Sequence, residues 1–245
     1  ATDSVNLALT ATVTTSYISS WETLAAVKDG FEPSGSADHS HGAYGNWNGE
    51  ADYGKLNWVQ YEWPLAQNIT SSSVYWWDDG LGIDRPTEAY ITVWNGSVWA
   101  DTVAIGREID RYNSASVIYR TNRIRINMKS LMATGILEWK VFGTANTSCV
   151  PSVLSPLVQS GNQAGKESNT VSVASGDSLL LDVVLIEGGD WSWSGPEGFT
   201  AGSRSVKLRN LRTEQSGTYT VSYLNECGAF SHKDFYVTVW SGSDQ

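Results

Sequence analysis

The stretch Val74–Trp94, VYWWDDGLGIDRPTEAYITVW, sets the architecture of the chain. Both ends alternate as β-strands do, and a polar segment holding Gly80 and Gly82 interrupts the alternation. Successive strand residues point to opposite faces, so Val74 and Trp76 share one face and Tyr75 and Trp77 the other. On that logic Trp76 and Trp77 cannot both be core. At the lip of the loop, Trp77 stands beside Asp78, Asp79 and Arg85. Flat rings next to carboxylates and a guanidinium suit a saccharide, whose C–H faces stack on aromatics and whose hydroxyls need polar partners. The competing reading for Asp78–Asp79 is a turn cap on the Gly80–Gly82 backbone. For Arg85 it is a pairing with Asp78 or Asp84.

The composition fits a β protein. The chain of 245 residues carries 12 Trp and 11 Tyr but only 2 Met, and aromatic and branched residues favour pleated surfaces. With 26 acidic against 16 basic residues the net charge is −10, and both halves are acidic. That balance argues against nucleic acid, which demands a basic face, and against an anionic membrane surface. No apolar run approaches the roughly 20 residues of a membrane span. A missing signal peptide is what a mature or excised fragment would show. Cys149 and Cys227 both lie in the second half. They fit a disulfide and an oxidising compartment, or two buried thiols; there is no CxxC and no zinc spacing. His39-Ser-His41 has a chelating spacing without an obvious third ligand.

Outward from the opening stretch, Asn6–Thr15 alternates, Tyr17–Trp21 forms a polar aromatic turn, and Leu24–Gly30 reads as one helical turn ending in Asp-Gly. Glu32–Trp47 is a long irregular loop of the kind that is functional or tied down. Leu56–Trp63, Ile69–Trp77, Ala89–Trp94, Val98–Ala104, Val117–Tyr119, Arg123–Met128 and Gly135–Gly143 complete about eight antiparallel strands with long loops. In Leu56–Trp63 the set Asn57, Val59, Tyr61 and Trp63 faces a core. Trp94, Trp99 and Trp139, with Trp58 or Trp63, are read as packing residues.

The order of landmarks NLAL, AAVKDG, WVQYEW, ITVW-NGSVW, RIRINM and GILEWKVFG resembles the discoidin, or factor 5/8 type C, domain. It is similar above all to the versions attached to bacterial glycoside hydrolases as carbohydrate-binding modules. The resemblance covers about residues 4–143. It implies an all-β fold, an antiparallel jelly-roll or β-sandwich, with a ligand site in the loops at one end. Trp21, Trp47, Trp77 and Tyr112 are then candidate platforms; His41, Asp78, Asp79, Arg85 and Asn113 are candidate partners for hydroxyls. It also implies a structural calcium between the DG loop and the closing strand, on Asp29 and Glu138 with backbone carbonyls near Lys28 and Ser34. Calcium takes six to eight oxygen ligands, carbonyls included. The alternative is a solvated Asp29 and a Glu138 bonded to the sheet edge.

After Gly143 the texture changes. Thr144–Gly165, with two prolines, contains a boundary and the first edge of a new domain. About seven strands follow, among them Thr170–Val173, Leu179–Leu185, Trp191–Trp193, Ser205–Leu208, Gly217–Leu224 and Phe230–Trp240. The run Thr213–Tyr223, TEQSGTYTVSY, resembles the E–F corner and strand F of immunoglobulin-like domains, with Tyr219 as the tyrosine corner and Trp193 as the strand C tryptophan. Val221 stands where that family has a cysteine, and strand B offers Leu180 or Leu181, so the usual inter-sheet disulfide is absent. On this resemblance Cys149 and Cys227 share one end of the sandwich, where a bridge would close a long loop.

The expectation is therefore a discoidin-like module over residues 1–145 and an immunoglobulin-like spacer over residues 146–245. The sequence shows no GxSxG, P-loop or nucleotide fingerprint. The adjacent Asp78 and Asp79 would splay apart, unlike the paired carboxylates of a glycosidase. The chain is expected to be a non-catalytic part of a larger secreted or cell-surface bacterial protein. Its partner would be a polysaccharide, by family habit a plant cell-wall hemicellulose or pectin side chain. The alternative is a protein-binding, adhesive domain pair whose aromatics form an interface hot spot.

Overall fold

A computed structural model describes residues 4–51, 53–185 and 188–241. The chain is all-β and divides into two compact units, one over Ala1–Trp94 and Trp99–Thr147, the other over Asn95–Val98 and Ser148–Gln245. No helix among the described residues is long and apolar enough to cross a membrane.

The first unit contains β1 (Val5–Asn6), β2 (Thr12–Thr15), β3 (Tyr44–Gly45), β4 (Asn57–Trp77), β5 (Glu88–Trp94), β6 (Trp99–Ala104), β7 (Tyr112–Lys129) and β8 (Gly135–Thr144). Their main path runs β1-β8-β4-β7-β5-β6, with β2 added to β4 and β3 to β8. Every pairing between these strands is antiparallel. The segment read as one strand over Asn6–Thr15 is broken by a 3-10 turn, Leu7–Thr10, whose first turn is capped by the Asn6 side chain. The helical turn expected at Leu24–Gly30 is a 3-10 turn, Leu24–Lys28.

Two pairs of expected strands are each one long strand. Leu56–Trp63 and Ile69–Trp77 fuse into β4, and Val117–Tyr119 and Arg123–Met128 fuse into β7. The ladder between β4 and β7 slips between Glu62 and Gln67 and again between Ile69 and Ser71. Pro64, which has no N–H to give, lies in the first slip. Such irregularities bend a strand without ending it, so the two halves of β4 belong to facing parts of one folded sheet. Tyr61, in the first half, stacks on Trp139 of β8 at 4.2 Å. Its hydroxyl donates to the Trp139 carbonyl at 2.8 Å. Yet Trp139 is paired in register with Val74 of the second half.

The core between these parts holds Val59, Tyr61, Trp63, Val74, Trp76, Ile124, Ile126, Ile136 and Trp139. Asn57 and the alternation from Val59 to Trp63 are buried as the pattern predicts. Trp76 and Trp77 are both buried, against the expectation. Trp76 enters the main core, while Trp77 and Tyr75 enter a second, smaller cluster with Ala43, Ile83, Ala133 and Leu137. The loops roof the far face of the sheet, so each face of the strand has a core.

Of the alternative Trp58 or Trp63, Trp63 is the core residue; Trp94 and Trp99 depart from the packing reading and share the position of Trp58. All three lie on the outer face of the sheet, half-buried, against guanidinium groups. The Arg125 guanidinium sits 3.9 Å from the Trp58 ring centroid and 4.1 Å from that of Trp99, and Arg123 lies 5.5 Å from that of Trp94. A stacked guanidinium keeps its charge solvated at the edge while covering the ring.

The second unit has two sheets. One holds β9 (Ser155–Ser160), β10 (Lys166–Glu167), β12 (Leu179–Val184) and β15 (Val206–Leu208). The other holds β11 (Thr170–Ala174), β13 (Gly189–Ser194), β14 (Thr200–Ala201), β16 (Gly217–Asn225) and β17 (Phe230–Trp240). β11 runs parallel to β17. Their shared core buries Leu181, Val183, Trp193, Tyr219, Val221, Phe235 and Val237. Leu181 and Val221 are fully enclosed, and their packing fills the positions where a cross-sheet disulfide was absent from the sequence. The Tyr219 hydroxyl donates to the Gln215 carbonyl at 3.0 Å.

Cys149 and Cys227, 78 positions apart in sequence, are joined as a disulfide with Cα atoms 5.5 Å apart. A cross-link over a loop of that length restricts the unfolded chain, by about 4 kcal/mol in the chain-entropy view. Replacing both cysteines by serine is expected to lower the stability of the second unit by a few kcal/mol, read as a lower denaturant midpoint. An unchanged midpoint would show that the bridge carries no such constraint.

Candidate functional site

The site is built on the loop that leaves β4 and enters β5. Asp79 Oδ1 accepts the backbone N–H groups of Leu81, Gly82 and Ile83 at 2.8, 3.1 and 3.1 Å. The Asp79 N–H closes the same turn on the Ile83 carbonyl. Asp78 Oδ1 takes the Gly80 N–H and its Oδ2 the Arg85 N–H, both at 3.2 Å. Both aspartates are thus the turn caps of the competing reading, and for Asp79 one oxygen does all of the capping.

Beneath this loop Trp77 is wedged into place. Only 5% of it is exposed. A Cβ on Gly135 would lie 2.6 Å from Trp77 Cε3 and 2.8 Å from the Tyr44 carbonyl oxygen, so the ring can lie there only because position 135 has no side chain. With its benzo edge against Gly135 and Gly45, the pyrrole edge is turned away from that wall. Its Nε1–H has no hydrogen-bond partner. A buried donor left unpaired is costly.

Trp77, Trp21 and Trp47 line one cleft of about 300 Å³, together with Glu22, Asp79, Leu81, Gly82, Ile83 and Met132. Trp21 is 77% exposed on a turn anchored by buried Ser19, whose N–H donates to the Gly45 carbonyl. Trp47 follows Asn46, which is clamped to Thr134 by reciprocal hydrogen bonds. Burial pushes the Glu22 carboxyl above the usual range; His39 draws it down and Asp79 pushes it up. The His39 ring lies 5.3 Å from Trp77. Glu22, Leu81 and Met132 were not foreseen from the sequence.

A second cleft of about 390 Å³ flanks the other side of the loop, lined by Asp78, Asp84, Arg85, Pro86, Thr87, Arg107 and Leu131. Arg85 therefore joins Asp78 here and not the tryptophans. Arg107 donates to the Thr87 carbonyl.

Three other candidates are committed elsewhere. The Asn113 Oδ1 accepts the Glu108 N–H, and its Nδ2 donates to the carbonyls of Glu108 and Arg111; buried in that lock, it has no group left for a hydroxyl. Tyr112 donates to Glu32 at 2.9 Å and lies under Lys140, and His41 stacks on Phe31 at 3.9 Å. Neither lines the tryptophan cleft. No group of three or more His, Cys, Asp or Glu side chains is placed to hold a metal among the described residues, so His39 and His41 gain no third partner.

The expected calcium residues present a different problem. Glu138 is 0% exposed, and neither of its carboxylate oxygens has a hydrogen bond. Burial first, and Asp29 second, push its carboxyl up to about 8. The Gly30 N–H draws it back only in part and falls short of hydrogen-bond geometry. Asp29 Oδ1 takes the Phe31 N–H, and the Ser34 hydroxyl donates to Asp38. The Ser34 side chain is therefore occupied, and only its carbonyl is open to the expected role. A buried, unpaired carboxylate beside a second one calls for a cation, and the donor set is the all-oxygen kind that calcium takes. The residues fit the group.

No protein-family model matches the chain, and neither does any curated protein. Among solved structures, the chain is similar to chitosan-binding module 1 of a chitosanase/glucanase from Paenibacillus sp. IK-5, at 17% identity over 57% of this chain and 99% of that one, with a TM-score of 0.42. It is similar to a fucose-binding module of Streptococcus pneumoniae at 14% identity over 58% and 99%, TM-score 0.45. It is also similar to the family 32 carbohydrate-binding module of C. perfringens NanJ in complex with galactose, at 11% identity over 57% and 99%, TM-score 0.45.

Proposed function

We propose that the first unit is a non-catalytic, discoidin-like carbohydrate-binding module, part of a larger secreted bacterial protein that it holds on a polysaccharide. The observation that carries this reading is the cleft in which exposed Trp21 and half-buried Trp47 stand over the Trp77 floor, beside Glu22 and Asp79. Rings supply area for C–H faces and the carboxylates accept hydroxyls. The solved structures named above bear names of the same kind. Asp79 has an oxygen fixed by three N–H groups, so its carboxyl is held in one place at the wall of the cleft. By the resemblance, the target is a plant cell-wall hemicellulose or pectin side chain.

The second unit is an immunoglobulin-like support domain on this reading. The Tyr219–Gln215 bond and the enclosed Trp193 and Val221 support it. The disulfide suits an oxidising compartment.

Trp21→Ala is expected to weaken glycan binding at least about tenfold, the scale of an aromatic anchor, while leaving the melting temperature unchanged. Calorimetric titration against soluble polysaccharides measures it. Silence on every glycan, or full affinity in the variant, would end the carbohydrate reading.

Calcium belongs to the same proposal. Asp29 and Glu138 would hold it, with the carbonyls of Lys28 and Ser34, and it would supply the positive charge that Glu138 lacks. A chelator is expected to lower the melting temperature, and Asp29→Ala to lower it similarly and abolish the chelator's effect. Melting that ignores the chelator in the wild-type protein removes the metal from the account.

A further inference from the structure

The larger sheet of the second unit has an outer face that its core does not account for. β17 is flanked on both sides, by β11 in parallel and by β16 antiparallel. Its burial alternates, and Phe235, Val237 and Val239 are the inward set. Tyr236, Thr238 and Trp240 therefore stand on the solvent side of a strand that is not an edge. Tyr236 is 49% and Trp240 39% exposed. Among the described residues of this unit, no other Phe, Tyr or Trp is exposed; the rest are covered, and only these two rings are offered to water.

The register surrounds them with hydroxyls. Thr170 of β11 and Thr218 of β16 pair with Tyr236 from its two sides, and Ser172 pairs with Thr238. All four are exposed. The Thr220 hydroxyl donates to Asp234 Oδ1 at 2.6 Å, whereas those of Thr170, Ser172, Thr218 and Thr238 have no partner among the described residues. From Tyr236 to Trp240, the outward positions of β17 and those paired with them carry no charge.

This chemistry chooses between occupants. A protein partner is met by a contiguous apolar patch, but here rows of hydroxyls separate the rings, and Ala174 is the one aliphatic side chain paired beside them. A charged glycan finds no counter-ion. A neutral sugar chain finds rings for its C–H faces and free hydroxyls for its own. Tyr236 and Trp240 are four residues apart on one face, about 13 Å along the strand. That is longer than one sugar ring, so the two aromatics meet different units of the same chain.

We propose that the outer face of β11, β17 and β16 is a second saccharide site, a platform on which a neutral polysaccharide lies extended across Tyr236 and Trp240. It goes beyond the support role given to the second unit, and it does not rest on the loop cleft of the first.

Affinity gels cast with hydroxyethyl cellulose, xylan or glucomannan test it on the full chain. With Trp21→Ala present to disable the loop cleft, retardation by at least one of these neutral polymers is expected to remain. Adding Tyr236→Ala and Trp240→Ala is expected to weaken that residual binding at least about tenfold without moving the melting temperature. A second arm leaves β17 intact. Titrated into the Trp21→Ala protein, a hexasaccharide of the retarding polymer is expected to bind at least about tenfold more tightly than its disaccharide, since only the longer chain reaches both rings. No residual retardation, residual retardation that survives the added substitutions, or equal affinity for the two oligomers would overturn the platform and leave the cleft standing. Full affinity in Trp21→Ala, with loss only when Tyr236 and Trp240 are replaced, would do the reverse. Silence of the unaltered protein on every gel would overturn both.

Discussion

One carboxylate oxygen, Asp79 Oδ1, holds three successive backbone N–H groups. That single acceptor decides the shape of the loop between β4 and β5. Without it the part-buried amides of Gly82 and Ile83 would lose their partner, and a covered donor left unpaired costs of the order of 1–3 kcal/mol. With it, the loop becomes a rigid partition. On one side lies the tryptophan cleft, on the other the Arg85–Arg107 cleft. Leu81, 91% exposed, remains at the rim. The partition also keeps a charge at the edge of an aromatic pocket, so the device that shapes the site sets its electrostatics.

The tryptophans of the first unit are sorted by what covers their faces. Trp63, Trp76 and Trp139 meet aliphatic and aromatic side chains in the main core. Trp58, Trp94 and Trp99 meet guanidinium groups on the outer sheet face. Trp77 is covered by backbone at Gly135 and Gly45, and Trp21 by nothing that hides it. This last group is assembled from three separate loops, each pinned by its own polar clamp: Ser19 to Gly45, Asn46 to Thr134, and Asp79 to its own turn. Preorganisation of that sort lowers the entropy lost when a ligand is bound.

Much of this was legible in the sequence. Period-two alternation found the strands and the inward set Val59, Tyr61 and Trp63. The Asp-Asp-Gly segment gave both of its readings, and the cap proved the one that fixes geometry. Alternation could not say that β4 runs on through Pro64, because a bulge and a break look alike in one dimension. Nor could it separate Trp76 from Trp77 by core, since a second hydrophobic cluster arises only when distant loops fold over the strand. The Arg–Trp stack did leave a trace, as Arg123 and Arg125 alternate with isoleucines in RIRINM, placing both charges on the outer face. Glu22 left none: it is one polar residue in a turn, and only the approach of Asp79 and Trp47 gives it a role. Asn113 failed as a ligand candidate because its amide closes a loop, a use that spacing does not reveal.

The central claim is that a saccharide settles on Trp21, Trp47 and Trp77. Indole N–H resonances of the isotope-labelled protein, followed during titration with oligosaccharide, test it directly. The signals of those three tryptophans are expected to shift together with one binding constant, while those of Trp58, Trp94 and Trp99 stay fixed. Shifts confined to the Arg-stacked tryptophans of the outer sheet face, with Trp21 and Trp77 unmoved at saturation, would contradict it.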